Sequence, residues 1–246
     1  MHIVSTEESN FYQKCLNLGR RLDGRLPNQM RQFELVAGKD VISTSNGSSR
    51  LYLPNQNLTV LVGIKADIIS LVGRSENAPL ISISIVSSLS KNQTPIEKEY
   101  LDKTISEITY AFQVMLDKYS KSSNLVLIPK KLAWSVYLDI YVNGHISYTS
   151  IDHLSYSIRA GLKSCVLPGV DINLNSMTNE YTFSIRKEVV KPFSDVQVPH
   201  LFVVGVHKGS SVLVDMDEKE SSAVDSLALV QINEKAEVQE IRKIGR

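Results

Sequence analysis

The sequence has little cysteine and no long apolar segment. Its 246 residues include only two cysteines, Cys15 and Cys165, which stand far apart and lack the spacing of metal ligands. This argues against a disulfide framework or a cysteine-based zinc site and favours a reducing compartment. No apolar run approaches the roughly 20 residues that cross a bilayer. The first fifteen residues also lack the apolar region of a signal peptide, so we expect neither a membrane segment nor a secretory leader.

Short motifs of the common enzyme classes are also missing. The sequence contains no phosphate-binding G-x-x-x-x-G-K-[ST] loop, no dinucleotide-binding G-x-G-x-x-G and no G-x-S-x-G nucleophile turn. None of its five histidines falls in an H-x-x-x-H or H-E-x-x-H pattern. His153 lies in a predicted helix, and we interpret it as a surface or capping residue. We therefore expect no metal and no cofactor.

The net charge of +1 conceals an uneven distribution. Between Lys14 and Arg31 there are five basic residues and one acid, Asp23, whereas eight acids and two lysines lie between Asp215 and Glu240. Such asymmetry can produce a basic face that attracts nucleic acid. It is equally compatible with an ordinary solvated surface, so both interpretations stay open.

Short apolar runs, several of them strictly alternating, predict β-strands. The predicted strands are 33–36, 50–53, 59–66, 81–86 and 134–142. Four further segments between 200 and 245 predict a meander with turns at 208–210 and 233–235. In the strand 134–142, Asp139 lies on the face opposite the apolar residues with Tyr137 and Tyr141, where it needs a hydrogen-bond partner or water.

Three helices are predicted between or before these strands. A short helix covers 11–18 and ends at Gly19. The second begins at the capping box Thr94-Pro95-Ile96-Glu97 and extends about four turns past it. Its apolar stripe consists of Leu101, Ile105, Ile108, Phe112, Met115 and Tyr119. The third covers 150–163, with Ile151, Leu154, Ile158 and Leu162 facing inward. The pattern predicts an α+β fold, a mixed β-sheet covered by helices.

Two polar segments are candidate sites. The glycine–serine segment, Gly47–Arg50, suits either a phosphate-binding turn or the entrance to a hairpin. The acidic segment, Asp215–Glu220, contains the carboxylates Asp215, Asp217, Glu218 and Glu220. Alternating carboxylates can bind magnesium, but they are also common where a strand runs out into a turn. We favour the structural interpretation of the acidic segment.

Several motifs together resemble one family. Residues 20–35, "RRLDGRLPNQMRQFEL", resemble the opening R-x-D-G-R…R-x-x-E/D of RNase PH-like proteins. The glycine–serine segment with the hairpin after it, "WSVYLDIYV", the helix "HLSYSIRAGLKSCVLPGV" and the late hairpin "VGVHKGSSVLVDMDEKE" follow in the family order. Within the family, "DGRLPNQMRQFEL…SNGSSR" most resembles the ring subunits of the eukaryotic RNA exosome, of the ribosomal RNA-processing protein 42 type.

The resemblance implies the RNase PH-like fold, also described as ribosomal protein S5 domain 2-like. It implies a single domain over 1–246 with an N-terminal extension of about 1–19. The implied partners are other RNase PH-like subunits in a hetero-hexameric ring, RNA-binding cap subunits, exosome-associated nucleases and single-stranded RNA. The implied locations are the nucleus, nucleolus and cytoplasm. The family usually carries a further helix after its last strand, and the sequence ends at Arg246, just after that strand.

Active members of the family use a phosphate-binding arginine before the second helix and an aspartate in an E-D pair after the late strand. This sequence departs from both patterns, because it has no arginine from Asn143 to Ile158. Glu220 matches the glutamate of the pair, but Ser221 stands at the aspartate position. The resemblance therefore implies a non-catalytic structural subunit of the exosome ring. The alternative is an active phosphorolytic 3′–5′ exoribonuclease, with Asp217 or Asp225 as a displaced substitute.

Five arginines are candidate RNA contacts. They are Arg20, Arg21, Arg25, Arg31 and Arg50. We expect them to touch phosphates rather than bases, since the neighbouring sequence offers no aromatic stacking platform. For Arg25 and Arg31, a structural role that ties the N-terminal segment to the sheet or to a neighbouring subunit is the favoured alternative.

Overall fold

The computed structural model describes residues 4–75, 78–88, 94–120, 125–175, 180–193, 198–209 and 211–244. Within these ranges the chain forms four α-helices and twelve β-strands. The helices are α1 Thr6–Asn17, α2 Pro95–Ser120, α3 Ile151–Ser164 and α4 Glu218–Ala223. The strands are β1 Glu34–Ala37, β2 Gly47–Leu53, β3 Leu58–Ser70, β4 Ile81–Ser87, β5 Val126–Ile128, β6 Leu132–Asn143, β7 Val166–Asn175, β8 Glu180–Pro192, β9 His200–His207, β10 Ser211–Val214, β11 Ser226–Ile232 and β12 Val238–Ile244.

The first sheet has the strand order β1-β2-β3-β6-β4, and β5 also pairs with β6. Strand β4 runs parallel to β6 while the other pairs are antiparallel, so the sheet is mixed, as predicted. The alternation in β6 is also as predicted, because its apolar side chains are buried in the core. Tyr137, Asp139 and Tyr141 lie on the opposite, exposed face, where Asp139 can be hydrated.

Helix α2 covers one face of this sheet. Its capping box forms as predicted, because the Thr94 N–H donates to Glu97 Oε2 at 3.0 Å and the Glu97 N–H donates to Thr94 Oγ1 at 3.4 Å. The predicted stripe supplies the buried Leu101, Ile108, Phe112 and Met115. The helix has 26 residues, about seven turns, and is therefore longer than the sequence predicted.

The second sheet has the strand order β10-β9-β11-β12. The predicted meander is wrong at one step, because β11 pairs with β9 and not with β10. Helix α4 lies between β10 and β11 in the chain and carries it across to the other side of β9. The predicted turn after β9 contains Lys208 and Gly209, both with positive φ, while Ser210 and Gly245 lie outside the described residues.

Helix α3 lies between the two sheets, in contact with β2 and β3 on one side and with β9 on the other. It is therefore buried on most of its surface, including the polar residues Asp152, His153 and Ser155. Helix α1 begins at Thr6, five residues earlier than predicted, with the Ser5 side chain as its N-cap. Strands β7 and β8 form a separate two-stranded sheet. Among the described residues, no helix combines the length and apolarity needed to cross a membrane.

Candidate functional site

The glycine–serine segment lies inside strand β2 and is closely packed. A Cβ atom at Gly47 would lie 2.6 Å from the Cα of Cys165, so only glycine fits there. The Ser48 hydroxyl donates to the Gly38 carbonyl at 2.7 Å, and the Ser49 hydroxyl donates to the Ser157 carbonyl at 2.6 Å. The Ser49 hydroxyl thus joins β2 to α3, and the Ser48 hydroxyl joins β2 to the loop after β1. This segment is structural, and only Arg50 at its end projects to the exposed face of the sheet.

The acidic segment is the centre of an arginine–carboxylate cluster formed by Arg21, Arg25, Arg31, Asp215 and Glu220. Asp215 follows β10 with a φ of 47°, and its side chain is 0% exposed. The Arg31 backbone N–H donates to Asp215 Oδ2 at 2.6 Å, and the Arg31 guanidinium pairs with Oδ1. Arg25 reaches the same carboxylate at 3.2 Å. Burial alone would raise the pKa of Asp215, but the hydrogen bonds and charge of Arg31 outweigh it, so the pKa is lowered.

The second ion pair of the cluster joins Arg21 and Glu220. The Arg21 Nε and Nη2 atoms donate to the two carboxylate oxygens of Glu220 at 2.8 and 2.6 Å. The Arg21 guanidinium also donates to the carbonyls of Val214 and Asp215, both at 2.9 Å. Asp217 caps α4 by accepting the Glu220 N–H at 2.7 Å. The cluster therefore fastens the N-terminal segment to the end of β10 and the start of α4.

Two buried residues of α3 adjoin the cluster. His153 Nε2 lies 3.7 Å from Asp215 Oδ1, and its ring packs edge-on against Phe33. Within the described chain, neither ring nitrogen of His153 has a hydrogen-bond partner. Burial lowers the pKa of His153 to about 4, so the ring is neutral. Burial raises the pKa of the neighbouring Asp152 to about 8, although its carboxylate accepts the Val203 N–H at 2.7 Å.

The interpretation of His153 as a surface or capping residue was therefore wrong. Helix α3 has a sheet on either side, so positions outside its apolar stripe are also buried. No local sequence signal indicates the pairing of Asp215 with Arg31. The only hint was that Asp215 and Arg31 each lie beside apolar residues in the chain. Such a position favours burial, and buried charges are normally paired.

The five candidate arginines fall into two groups. The side chains of Arg21 and Arg31 are 0% and 5% exposed and are engaged by carboxylates. Arg25 is mostly buried between Asp23 and Asp215. The structure thus places these three inside the cluster. Arg20 and Arg50 are exposed and stay candidate RNA contacts.

Aromatic residues lie close to one of these arginines, the buried Arg31. Phe33, Tyr156, His200 and Phe202 form a partly buried aromatic cluster, with ring centroids of successive neighbours 5.1–5.8 Å apart. The Tyr156 hydroxyl lies 3.4 Å from the sulfur of Met30, next to Arg31 in the chain. This cluster could not be recognised from the sequence, because its members come from three separate segments.

The two segments that the resemblance matches to the catalytic positions of RNase PH-like proteins lie side by side. His145 Nε2, in the loop before α3, is 2.5 Å from Glu218 Oε1 at the start of α4. Ser221, at the aspartate position, donates its hydroxyl to the Glu218 carbonyl at 2.8 Å. Helix α3 contains Arg159 further along the chain, and its guanidinium donates to the Val198 carbonyl and to the Glu234 carboxylate. In the described residues, no group of three or more His, Cys, Asp or Glu residues has a geometry that would hold a metal ion.

No protein-family model matches this chain. It is 26% identical over 243 residues to the exosome complex component Rrp42 of Thermococcus gammatolerans, covering 94% of this chain and 82% of the relative. It is 23% identical over 237 residues to the exosome complex component RRP42 of Saccharomyces cerevisiae, covering 92% and 80%.

Solved structures give the same result for the fold. The chain is similar to a subunit of an archaeal exosome core, with a TM-score of 0.65 and 18% identity over 97% of this chain and 85% of that chain. It is similar to a subunit of the Archaeoglobus fulgidus exosome with RNA bound to the active site, with a TM-score of 0.66 and 18% identity over 97% and 87%. The chain therefore has the predicted α+β, RNase PH-like fold, and its resemblance to exosome ring subunits of the Rrp42 type is confirmed.

Proposed function

We propose that the chain is a non-catalytic structural subunit of the RNA exosome core ring. In this role it supports 3′-to-5′ processing and degradation of RNA, including maturation of ribosomal RNA, by holding the ring together and helping to thread RNA. Its similarity to Rrp42-type relatives along more than nine tenths of its length supports this role. We also propose that residues 1–246 form a single domain with an N-terminal extension of about 19 residues.

The proposed partners are two neighbouring RNase PH-like subunits in a hetero-hexameric ring, together with RNA-binding cap subunits, associated nucleases and single-stranded RNA. The proposed locations are the nucleus, nucleolus and cytoplasm. A tagged, complex-incorporated chain that stays outside the nucleus and nucleolus would contradict this distribution.

One observation carries the non-catalytic part of the proposal. The segments that correspond to the family's catalytic positions meet, but they bring together His145, Glu218 and Ser221 instead of an arginine and an aspartate. A phosphate nucleophile needs positive charge and free donors at this place. Here the carboxylates of Asp217 and Glu218 lie at the start of α4, and the buried Asp215 and Glu220 are neutralised by arginines of the chain itself.

RNA decay tests the proposal directly. The purified chain, and the chain paired with each RNase PH-like subunit of the same organism, are incubated with single-stranded RNA in inorganic phosphate or in magnesium. Native mass spectrometry of the mixtures establishes assembly. We expect the chain alone to release no nucleotides and to enter a stable complex with at least one of these subunits.

The variant Asp217→Asn with Asp225→Asn separates the two hypotheses, because the active-enzyme alternative names these two residues as the displaced substitute. Both side chains accept backbone N–H bonds that asparagine can retain, and Glu237→Gln on the exposed turn before β12 is the control. A non-catalytic subunit predicts decay by the assembled complex within about two-fold of wild type for both variants. A loss of ten-fold or more in turnover for the first variant alone, with assembly intact, would show that the active-enzyme hypothesis is right.

A further inference from the structure

Strands β7 and β8 form an amphipathic ribbon, here called the β7–β8 ribbon. In its antiparallel register, Val170 lies opposite Ile185, Ile172 opposite Phe183 and Leu174 opposite Tyr181. Directly opposed side chains share a face, and alternate residues along a strand also share it. All six of these apolar side chains therefore lie on one face of the ribbon.

The other face of the ribbon is polar. It carries Asp171 opposite Ser184 and Asn173 opposite Thr182. Asp171 forms an ion pair with Arg186 on this face, and both residues are well exposed to solvent. The ribbon thus has the pattern of a sheet that is hydrated on one side and covered on the other.

Among the described residues, the apolar face is partly covered at two points. Val170 packs against the core of the domain, and towards the other end of the ribbon the Lys131 ammonium lies 4.6 Å from the centre of the Tyr181 ring. In contrast, Leu174, Phe183 and Ile185 are 51%, 45% and 48% exposed. A two-stranded ribbon alone is only marginally stable in water, so a covering surface would stabilise it substantially.

The size and chemistry of this face restrict what covers it. RNA does not suit it, because RNA affinity comes mainly from phosphate contacts with lysine and arginine. The exposed part is on the order of 300 Å², the lower end of the largest apolar patches on monomers. A stable interface buries about 800 Å² on each partner. The occupant must therefore also contact the body of the domain, as a folded neighbour does and a short peptide or a ribbon-to-ribbon dimer does not.

We propose that the apolar face of the β7–β8 ribbon packs against a neighbouring RNase PH-like subunit of the ring and forms part of one subunit interface. This inference rests on the proposed function, because it takes its occupant from the proposed ring. Leu174, Phe183 and Ile185 are the contact residues, and the ion pair of Asp171 with Arg186 faces solvent in the assembly.

Affinity measurements on two matched variants test this. The apolar-face variant is Phe183→Ser with Ile185→Ser, and the control is Thr182→Ala with Ser184→Ala on the polar face of the same strand. Each is titrated with the RNase PH-like subunit that binds the wild-type chain. Loss of a well-packed interface anchor predicts binding at least about 30-fold weaker for the first variant, and less than about three-fold weaker for the control. Equal affinity of wild type and apolar-face variant overturns the proposal.

Hydrogen exchange of the wild-type chain provides a measurement that does not depend on variant folding. Amides of 170–174 and 181–186 should exchange at least ten-fold more slowly in the complex than in the free chain, and unchanged exchange overturns the proposal. A homodimer of wild-type chains that the apolar-face variant abolishes also overturns it, because the occupant is then a second copy. If the wild-type chain binds no RNase PH-like subunit at all, the proposed function itself fails. If a complex forms but the ribbon is not protected in it, only the proposed interface fails.

Discussion

The acidic segment and the glycine–serine segment both have the composition of a functional site, and both are structural for different reasons. In the acidic segment, Asp215 and Glu220 are buried and neutralised by arginines from the N-terminal segment. In the glycine–serine segment, Gly47 allows the backbone of β2 to approach Cys165, and the serine hydroxyls bond to backbone carbonyls. The acidic segment is therefore stabilised by ion pairs, and the glycine–serine segment by close packing and hydrogen bonds.

This difference predicts how each segment responds to perturbation. A buried charge pair is costly to break, because the remaining partner is left without compensation in a poorly hydrated site. Its stability should also depend on pH, since the carboxylates titrate. A closely packed glycine should respond to added volume and be indifferent to pH.

Removing the central carboxylate should have the largest effect on stability. In Asp215→Ala, the guanidinium of Arg31 stays buried without its partner, which we expect to lower the free energy of unfolding by about 3–5 kcal/mol. Urea unfolding of the free chain measures this. The exposed Asp40→Ala is the control and should change stability by less than about 0.5 kcal/mol. A loss below about 1 kcal/mol in Asp215→Ala would mean that the ion pairs do not hold the segment.

The two buried groups of α3 should give opposite pH dependences. The pKa of Asp152 is raised to about 8, so the folded state holds a proton that the unfolded state releases near pH 4, and stability falls as pH rises from about 4 to about 8. The pKa of His153 is lowered to about 4, so the unfolded state binds a proton first, and stability falls as pH drops from about 6.5 to about 4. In the wild type these slopes oppose each other below pH 6.5.

Asp152→Asn separates the two contributions. We expect its free energy of unfolding to fall on acidification from pH 6.5 to 4, and to lose the wild-type decline between pH 6.5 and 8. The difference between wild type and variant should change by up to about 1.4 kcal/mol per pH unit. Urea unfolding at several pH values measures this difference. Parallel curves for the two proteins from pH 4 to 8 would contradict the assignment of a protonated Asp152.

The glycine–serine segment should respond to volume. In Gly47→Ala the new Cβ would lie within 3 Å of three atoms of Cys165, two of them backbone atoms, so the strand must shift. We expect a loss of about 1–3 kcal/mol that is the same at pH 5 and pH 8. In the control Gly63→Ala, the nearest atom is the flexible end of the Ile42 side chain at 3.2 Å, and a smaller loss is expected. Equal losses for the two variants would show that the close approach to Cys165 is unimportant.

Local pattern was sufficient to predict most of the fold. The capping box of α2, the alternation of β6 and the apolar stripe of α3 each depend on residues close in the chain, and each forms as expected. The pairing of β11 with β9 could not be predicted, because the short helix α4 between β10 and β11 carries no apolar periodicity long enough to recognise. Without α4, two consecutive strands are expected to be neighbours.

The candidate site was less predictable because its contacts are distant in the chain. Arg31 and Asp215 are 184 residues apart, and no local signal connects them. The burial of His153 follows from α3 having a sheet on two sides, a property of the assembled domain and not of the helix sequence. The charged residues are therefore recognisable as unusual from the local sequence, but whether they contact solvent, RNA or one another depends on the folded domain.

The smallest predicted effect concerns two exposed arginines, Arg20 and Arg50. Arg20 precedes the buried Arg21, and Arg50 ends the glycine–serine segment on the exposed face of the sheet. If Arg20 and Arg50 touch RNA phosphates in the assembled ring, Arg20→Gln or Arg50→Gln should weaken binding about equally for all single-stranded sequences. Each lost contact should also reduce the log–log salt slope by about 0.7. Filter binding at several salt concentrations measures both quantities.

Arg21→Gln, next to Arg20 in the chain, is the matched control. Its guanidinium is 0% exposed and paired with Glu220, so its loss should lower the melting temperature and the yield of assembled ring. RNA affinity per intact ring should stay at the wild-type value. The neighbouring arginines would then differ because one is exposed and the other is held by a carboxylate, although the sequence presents them as a pair. If affinity and salt slope stay at wild-type values in Arg20→Gln and Arg50→Gln as well, neither arginine contacts RNA and the role of this chain in the ring is scaffolding alone.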